Sequence, residues 1–264
     1  MLILSIETSG KNGGVALARG DGNAFDLVGE AAIGAGQYSA ELIPRIVELL
    51  GRAKIAKHDL DGFAVASGPG SFTGLRVGIA TVKALADTLQ KPVAAVSVLE
   101  AIAVAALRAQ ANLAANDPDA KERKLRRERI TALLDAGRGE VYVGEYAVNF
   151  LVHGKRSEIL RSLSPIREML VPGTDIAALN RDTDGDPLSF TSPDERIADA
   201  LREQGISIMA VERPGARDIA RLGIIQLVRG QAAPVADFDA NYIRRSDAEI
   251  FSLPKIQGPR AAEN

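Results

Sequence analysis

The chain contains no cysteine and no tryptophan, and its only histidines are His58 and His153. Without cysteine it has no disulfide framework, no thiolate metal site and no cysteine nucleophile. The two histidines are far apart in sequence and form neither an H-x-x-x-H nor an H-E-x-x-H motif. A metal site would therefore have to rely on carboxylates, and these absences argue against a metalloenzyme or a thiol enzyme.

The chain also lacks a strong net charge and a long hydrophobic run. Its 32 lysines and arginines are opposed by 34 aspartates and glutamates, so its formal net charge is −2. Such a chain does not attract nucleic acid as a whole. No apolar run reaches the ~18–20 residues of a membrane span, and the N-terminus reads as a strand without the basic segment of a signal peptide. We expect a cytoplasmic protein with no membrane partner.

The pattern of apolar residues predicts an α/β fold. The predicted order is β-β-β-α-β-α-β-α, with strands over 2–6, 15–18 and 25–33, a helix over 40–50 capped by Ser39, a strand over 62–66, a helix over 74–89, a strand over 92–96 and a helix over 99–111. Pro44 conflicts mildly with the first helix and is tolerable near its first turn. Three meandering strands followed by α/β crossovers match the core of actin-like, sugar-kinase-like domains.

The second half of the chain predicts a second, smaller α/β domain. It has a strand over 141–146, a polar section with glycine and proline over 180–193, and helices over 194–204 and 218–229. We divide the chain into an N-terminal domain (1–103), a second domain (104–253) with a charged insertion near 112–129, and a flexible tail (254–264). No internal repeat is visible in the sequence.

The most informative segment is SGPGSFTGLRVG at residues 67–78. It lies between a predicted buried strand and a helix, where backbone N–H groups at a helix N-terminus attract anions. However, it lacks the lysine of a P-loop and contains no G-x-G-x-x-G. Gly68, Pro69 and Gly70 also suit a tight turn that needs no ligand. Both interpretations stay open, and the structural turn is favoured.

Five segments spread over nearly the whole chain resemble the TsaB (YeaZ) family. They are ILSIETS at 3–9, the run at 67–78, VSVLEA at 96–101, LDAGRGEVY at 134–142 and NYIRRSDAEIF at 241–251. The resemblance implies an actin-like (ASKHA) fold and a role in forming threonylcarbamoyladenosine beside the tRNA anticodon. It implies that the chain is the non-catalytic partner of TsaD, the transferase that binds ATP and metal, and that TsaE, a small ATPase, joins the pair.

Two departures bear on catalysis. Where the TsaD-like enzyme has a segment of the type AVHHLEGH, this chain has AVSVLEAI at 95–102. The enzyme's metal-binding histidines therefore fall on Val98 and Ile102, and neither side chain can ligate a cation. In addition, Glu7 stands where many actin-like domains have aspartate. We expect no catalytic residue, no cofactor and no metal in this chain.

The resemblance implies that two N-terminal helices, over 39–50 and 74–89, pair with a TsaD-like transferase, or with a second copy when the chain is alone. The first helix is apolar around much of its girth, which also suits association. The residues expected at this interface are Leu42, Ile43, Ile46, Leu49, Arg76, Val77, Ala80 and Ala84. We expect contact with tRNA only through the complex. The cations between Lys121 and Arg129 are either a solvated surface or a contact with tRNA or an acidic partner.

Two enzymatic alternatives stay open at this point. An ATP-dependent sugar-kinase-like transferase would use the turn at Gly68, with Glu7 and Asp135 as candidate carboxylates, although Asp135 also suits a role in shaping the turn before Gly137. A peptidase would need a nucleophile–base pair or a zinc site, and no spacing in the sequence supports either.

Overall fold

Two five-stranded sheets, each flanked by helices, make up the described part of the chain. The computed structural model describes residues 1–115, 129–153, 158–179, 188–235, 239–240 and 243. Within these ranges, no helix is both long enough and apolar enough to cross a membrane.

The first sheet has the strand order β3-β2-β1-β4-β5. Its elements are β1 (Leu2–Glu7), β2 (Gly13–Gly20), β3 (Phe25–Ile33), α1 (Tyr38–Ala53), β4 (Gly62–Gly68), α2 (Phe72–Leu89), β5 (Val93–Ser97) and α3 (Val98–Ala115). A short 3-10 helix, Lys57–Asp59, precedes β4. Strands β1 and β4 are buried along their whole length because helices cover both faces of the sheet.

The second sheet has the strand order β10-β9-β6-β7-β8. The elements in this part of the chain are β6 (Arg129–Gly137), β7 (Glu140–His153), β8 (Glu158–Pro172), α4 (Ile176–Leu179), β9 (Leu188–Ser192), α5 (Glu195–Glu203), β10 (Ile208–Ala210) and α6 (Ala216–Val228). A 3-10 turn, Gly173–Asp175, follows β8.

The two sheets share one topology. In the first, β1, β2 and β3 form an antiparallel meander, and β4 and β5 then add parallel strands beside β1. In the second, β6, β7 and β8 form the same meander, and β9 and β10 add parallel strands beside β6. The repeat lies in the backbone topology and was not visible in the sequence.

Helices α1 and α2 pack on one face of the first sheet, and α3 and α6 pack on the other. The α6 contact is close, because a Cβ built at Gly223 would lie 2.3 Å from the Cβ of Ala64 on β4. Helix α6 thus returns to the first sheet, although our division places its residues in the domain 104–253. That division stays a prediction.

Several local expectations were wrong. Helix α1 begins at Tyr38 with Gln37 as its N-cap, so Ser39 lies inside the helix. The reason is tertiary: the buried hydroxyl of Tyr38 donates to the carbonyl oxygen of Gly10 at 2.8 Å and anchors the start of the helix. Pro44 lies within α1 beyond its first turn.

The polar section at 180–193 contains a strand, since residues 188–192 form β9 and pair in parallel with β6. Strands β8 and β10 were not predicted, and β7 is longer than the predicted 141–146. Most of the charged insertion, the tail and the greater part of the segment 241–251 lie outside the described residues.

Candidate functional site

The glycine-rich segment connects β4 to α2. The peptide bond between Gly68 and Pro69 is cis, and Gly68 has a φ of +120°, a conformation that suits glycine. The backbone N–H of Ser71 donates to the carbonyl oxygen of Ser9 at 2.7 Å. The hydroxyl of Ser71 caps α2 by accepting from the N–H of Gly74 at 3.3 Å.

Three glycines let this segment lie directly on the end of β1. A Cβ at Gly70 would lie 2.4 Å from the carbonyl oxygen of Ser9, and one at Gly74 would lie 2.0 Å from that of Thr8. A Cβ at Gly78 would lie 2.3 Å from Oγ1 of Thr8. Because close packing against Thr8 and Ser9 accounts for all three glycines, the structure favours the structural turn over the anion site.

Glu7, at the end of β1, is buried and organises the following turn. One of its carboxylate oxygens accepts from the N–H of Ser9 at 2.8 Å and from the Ser9 hydroxyl. Burial raises the pKa of Glu7, while the two Ser9 hydrogen bonds and the charge of Arg213 oppose the rise. Glu7 therefore holds the turn that follows β1, through its hydrogen bonds to Ser9.

A cleft of about 730 Å³ lies between the two halves of the fold. Lys11, Asp135, Asp194 and Arg213 line it, and Glu7 is not among its lining residues. Asp135 accepts from the N–H of Gly137 at 2.8 Å, so its expected role in shaping that turn is confirmed. Asp194 accepts from the N–H of Asp135 at 2.8 Å. Both carboxylates thus bind backbone of this chain.

The positions that match the histidines of the TsaD-like enzyme are filled by hydrocarbon. Val98 and Ile102 are 2% and 0% exposed and belong to the core between α3 and the two sheets. These residues do not fit a metal ion. In the described ranges, no three His, Cys, Asp or Glu side chains are grouped where they could hold one.

The expected interface residues of α1 divide into two sets. Leu42, Ile46 and Leu49 are 1%, 4% and 2% exposed, so the expectation that they contact a partner is wrong. At spacings of four and three residues they form the stripe that faces the sheet. Ile43 lies on the outer side and is 51% exposed. Val47, one turn further on, is 64% exposed and was missing from the expected set.

The expected residues of α2 are accessible. Arg76, Ala80 and Ala84 are exposed, and Val77 is half-buried. The guanidinium carbon of Arg76 lies 3.7 Å from the centroid of the Phe72 ring. Helices α1 and α2 pack against each other. We call their exposed apolar residues, Ile43, Val47, Ala80 and Ala84, the outer helix surface.

The fold defines the class of protein. Two copies of one sheet topology, each a meander followed by parallel strands and separated by a cleft, make an actin-like (ASKHA) α/β fold. The expected fold class is therefore confirmed.

Comparison with known proteins identifies the family. Residues 32–195 match the family model described as TsaD, tRNA N6-adenosine threonylcarbamoyltransferase. The tRNA threonylcarbamoyladenosine biosynthesis protein TsaB of Bacillus subtilis is 29% identical over 94% of this chain and 96% of its own length. The protein of the same name from Escherichia coli is 26% identical over 94% and 96%. The solved structure of YeaZ from Pseudomonas aeruginosa aligns with a TM-score of 0.64 at 25% identity, over 91% of this chain and 100% of that one. The chain belongs to the TsaB (YeaZ) family.

Proposed function

We propose that this chain is a non-catalytic subunit in tRNA threonylcarbamoyladenosine biosynthesis, where it binds and supports a TsaD-like transferase. The pathway follows from the curated relatives, which are named for it. The observation that carries the finer proposal is the outer helix surface. Since tRNA is the molecule modified, we place the protein in the cytoplasm.

The outer helix surface has the composition of a helix-pairing interface. Ile43 and Val47 lie one turn apart on α1, so their branched side chains form one apolar ridge. On α2 the small side chains of Ala80 and Ala84 allow another helix to approach closely. Single exposed apolar residues are ordinary, whereas exposed apolar residues on two helices that pack against each other favour a binding surface.

Charged residues occupy a separate stripe of α1, about 100–160° around the helix from the apolar ridge. Arg45 pairs with Glu41 at 3.3 Å and with Glu48 at 3.1 Å, and Arg52 pairs with Glu48 at 3.4 Å. This stripe stays solvated beside an interface on the apolar ridge, and a specific interface buries about 1,200–2,000 Å² in total. We propose that a TsaD-like protein occupies this surface in the complex, with a TsaE-like ATPase joining the pair.

Several observations support the absence of catalysis in this chain. Val98 and Ile102 stand at the positions of the enzyme's metal-binding histidines, and both are buried in the hydrophobic core. The two carboxylates that a kinase-like transferase would need, Glu7 and Asp135, hold local backbone turns instead. The glycine-rich turn is used for packing. The described residues therefore assemble no site that would support the transferase alternative or the less favoured peptidase.

The test is capture of a TsaD-like protein from the same organism by the tagged full chain. Val47→Glu places a charge on the apolar ridge without touching the core, so it is expected to abolish capture while the chain stays folded. Val228→Glu is the matched control, because Val228 is 52% exposed on α6. Capture by Val47→Glu at the wild-type level would place the interface elsewhere.

The same surface is proposed to pair with a second copy when the chain is alone. Light scattering is then expected to give twice the monomer mass of 27.9 kDa for the wild type. Val47→Glu is expected to run as a monomer. A wild-type monomer at micromolar concentration would refute the homodimer while leaving the transferase partner open.

A further inference from the structure

A cluster of arginines lies where α3 meets α6, away from the outer helix surface. Arg217 and Arg221 are one turn apart on α6 and share a face of that helix. Arg108 reaches across from α3, with a nitrogen of its guanidinium 3.3 Å from a carboxylate oxygen of Asp218. We call Arg108, Arg217 and Arg221 the arginine cluster.

The positive charge of this cluster is only partly balanced. Asp218 is the carboxylate that Arg108 contacts, and the same carboxylate also accepts from the N–H of Gly215 at 3.1 Å to cap α6. Arg217 forms no ion pair with any residue in the described ranges. The three arginines and Asp218 together carry +2, although the whole chain carries −2.

The positions of the arginines also favour binding of an anion. Arg217 lies in the first turn of α6, where the positive end of the helix dipole disfavours a cation. Arg221 is half-buried and lies over the ring of Phe25, with 4.0 Å between its guanidinium carbon and the ring centroid. Burial lowers the pKa of Arg221, and the charges of Arg108 and Arg217 lower it further. An anion bound here would relieve this repulsion.

We infer that the arginine cluster binds phosphates of the tRNA backbone. The inference rests on the proposed function, which makes tRNA the polyanion that the complex must hold. Arginine suits this ligand because its planar fork donates two hydrogen bonds to one phosphate. The cluster would position tRNA without reading its sequence, since phosphate contacts carry no base information. This chain would then touch tRNA directly as well as through its partner.

The test is binding of the full chain to an unmodified tRNA transcript, measured by fluorescence anisotropy between 50 and 200 mM salt. Each lost phosphate contact lowers the slope of log K against log salt by about 0.7–0.9. The double variant Arg108→Gln/Arg217→Gln is therefore expected to lower the slope by roughly 1.4–1.8, which corresponds to about 25- to 60-fold weaker electrostatic binding at 0.1 M salt. Arg217→Lys keeps the charge and should retain most of the slope.

Arg202→Gln is the matched control, because Arg202 is an exposed arginine on α5 paired with Asp199 at 2.9 Å. It is expected to bind tRNA with the wild-type slope. A double variant that is folded and keeps the wild-type slope would overturn the inference. So would a wild type that does not bind tRNA at 50 mM salt, or one that binds phosphatidylserine vesicles instead.

Capture of the TsaD-like protein separates this inference from the proposed function. The double variant leaves the outer helix surface intact, so it is expected to capture the transferase as the wild type does. If the double variant captured the transferase normally and bound tRNA as the wild type does, the inferred role of the arginine cluster would be refuted and the proposed function would stand. Failed capture by the wild type would refute the proposed function whatever the tRNA measurement shows.

Discussion

Replacing Gly74 with alanine tests whether the glycine-rich segment exists for packing. The new Cβ would lie 2.0 Å from the carbonyl oxygen of Thr8 and 3.2 Å from its carbonyl carbon. The first distance is more than an ångström short of ordinary contact, and the obstacle is the backbone of Thr8, which directly follows the buried strand β1. Either β1 or α2 must shift. Overpacking of this kind costs about 1–3 kcal/mol and occasionally more.

Gly51→Ala provides the matched control for Gly74→Ala. Gly51 also lies in a helix, and no atom lies within 4 Å of a Cβ built there. Alanine is favoured over glycine in a helix interior by about 0.5–1 kcal/mol, so this variant is expected to be slightly more stable than the wild type.

Urea unfolding of the two variants gives the comparison. We expect Gly74→Ala to lose at least about 2 kcal/mol, which lowers Tm by about 4–8 °C for a chain of this size. Gly51→Ala is expected to change stability in the opposite direction. If Gly74→Ala were as stable as the wild type, close packing would not explain the glycine at this position. An anion site would then be the better explanation of the glycine-rich segment.

Three further predictions concern one or two side chains each. Burial raises the pKa of Glu7 above 4.5, so the stability that Glu7 contributes is full below about pH 4.5 and is lost as pH rises through the raised pKa. Glu7→Gln should therefore gain stability over the wild type as pH rises above about 4.5, measured by urea unfolding; a constant difference would contradict this. Val98→His combined with Ile102→His should bring at most weak zinc binding by calorimetry, because both positions are core and lack supporting polar partners; tight stoichiometric zinc would be the contrary result. Arg76→Ala removes the stacking on Phe72 and should change the melting temperature or capture of the TsaD-like protein; no change in either would show that Arg76 matters for neither.

Periodicity predicted the first half of the fold well, because each element there carries its own apolar pattern. Strand β4 is a continuous apolar run, and α1 has a stripe at helical spacing. In the second half, β9 lies at the end of a polar section and owes its place to pairing with β6. Such pairing depends on residues distant in sequence, so a local pattern cannot reveal it.

Part of the predicted surface lies on the buried side of α1. Leu42, Ile46 and Leu49 share a face with the right spacing for a helix contact, and that contact is with the sheet of the same chain. The spacing of apolar residues identifies a buried face without telling whether the chain itself or a partner covers it. The signal for the outer surface was the second apolar pair, Ile43 and Val47, four residues apart.

Substituting Ile46 shows the consequence of this correction. Ile46 is 4% exposed, so Ile46→Glu is expected to cost several kcal/mol by placing a charge in the core. Circular dichroism should therefore show an unfolded or strongly destabilised chain. A folded Ile46→Glu variant of wild-type stability would indicate that Ile46 lies at the surface.

Reconstituted threonylcarbamoylation of tRNA tests the central claim most directly. The TsaD-like transferase of the same organism would be assayed with its TsaE-like ATPase, with a source of threonylcarbamoyl groups, and with or without this chain. We predict that this chain alone transfers nothing and that the transferase needs it for full activity, whereas Val47→Glu fails to support the reaction. Transfer by this chain alone, or equal transferase activity in its absence, would contradict the account.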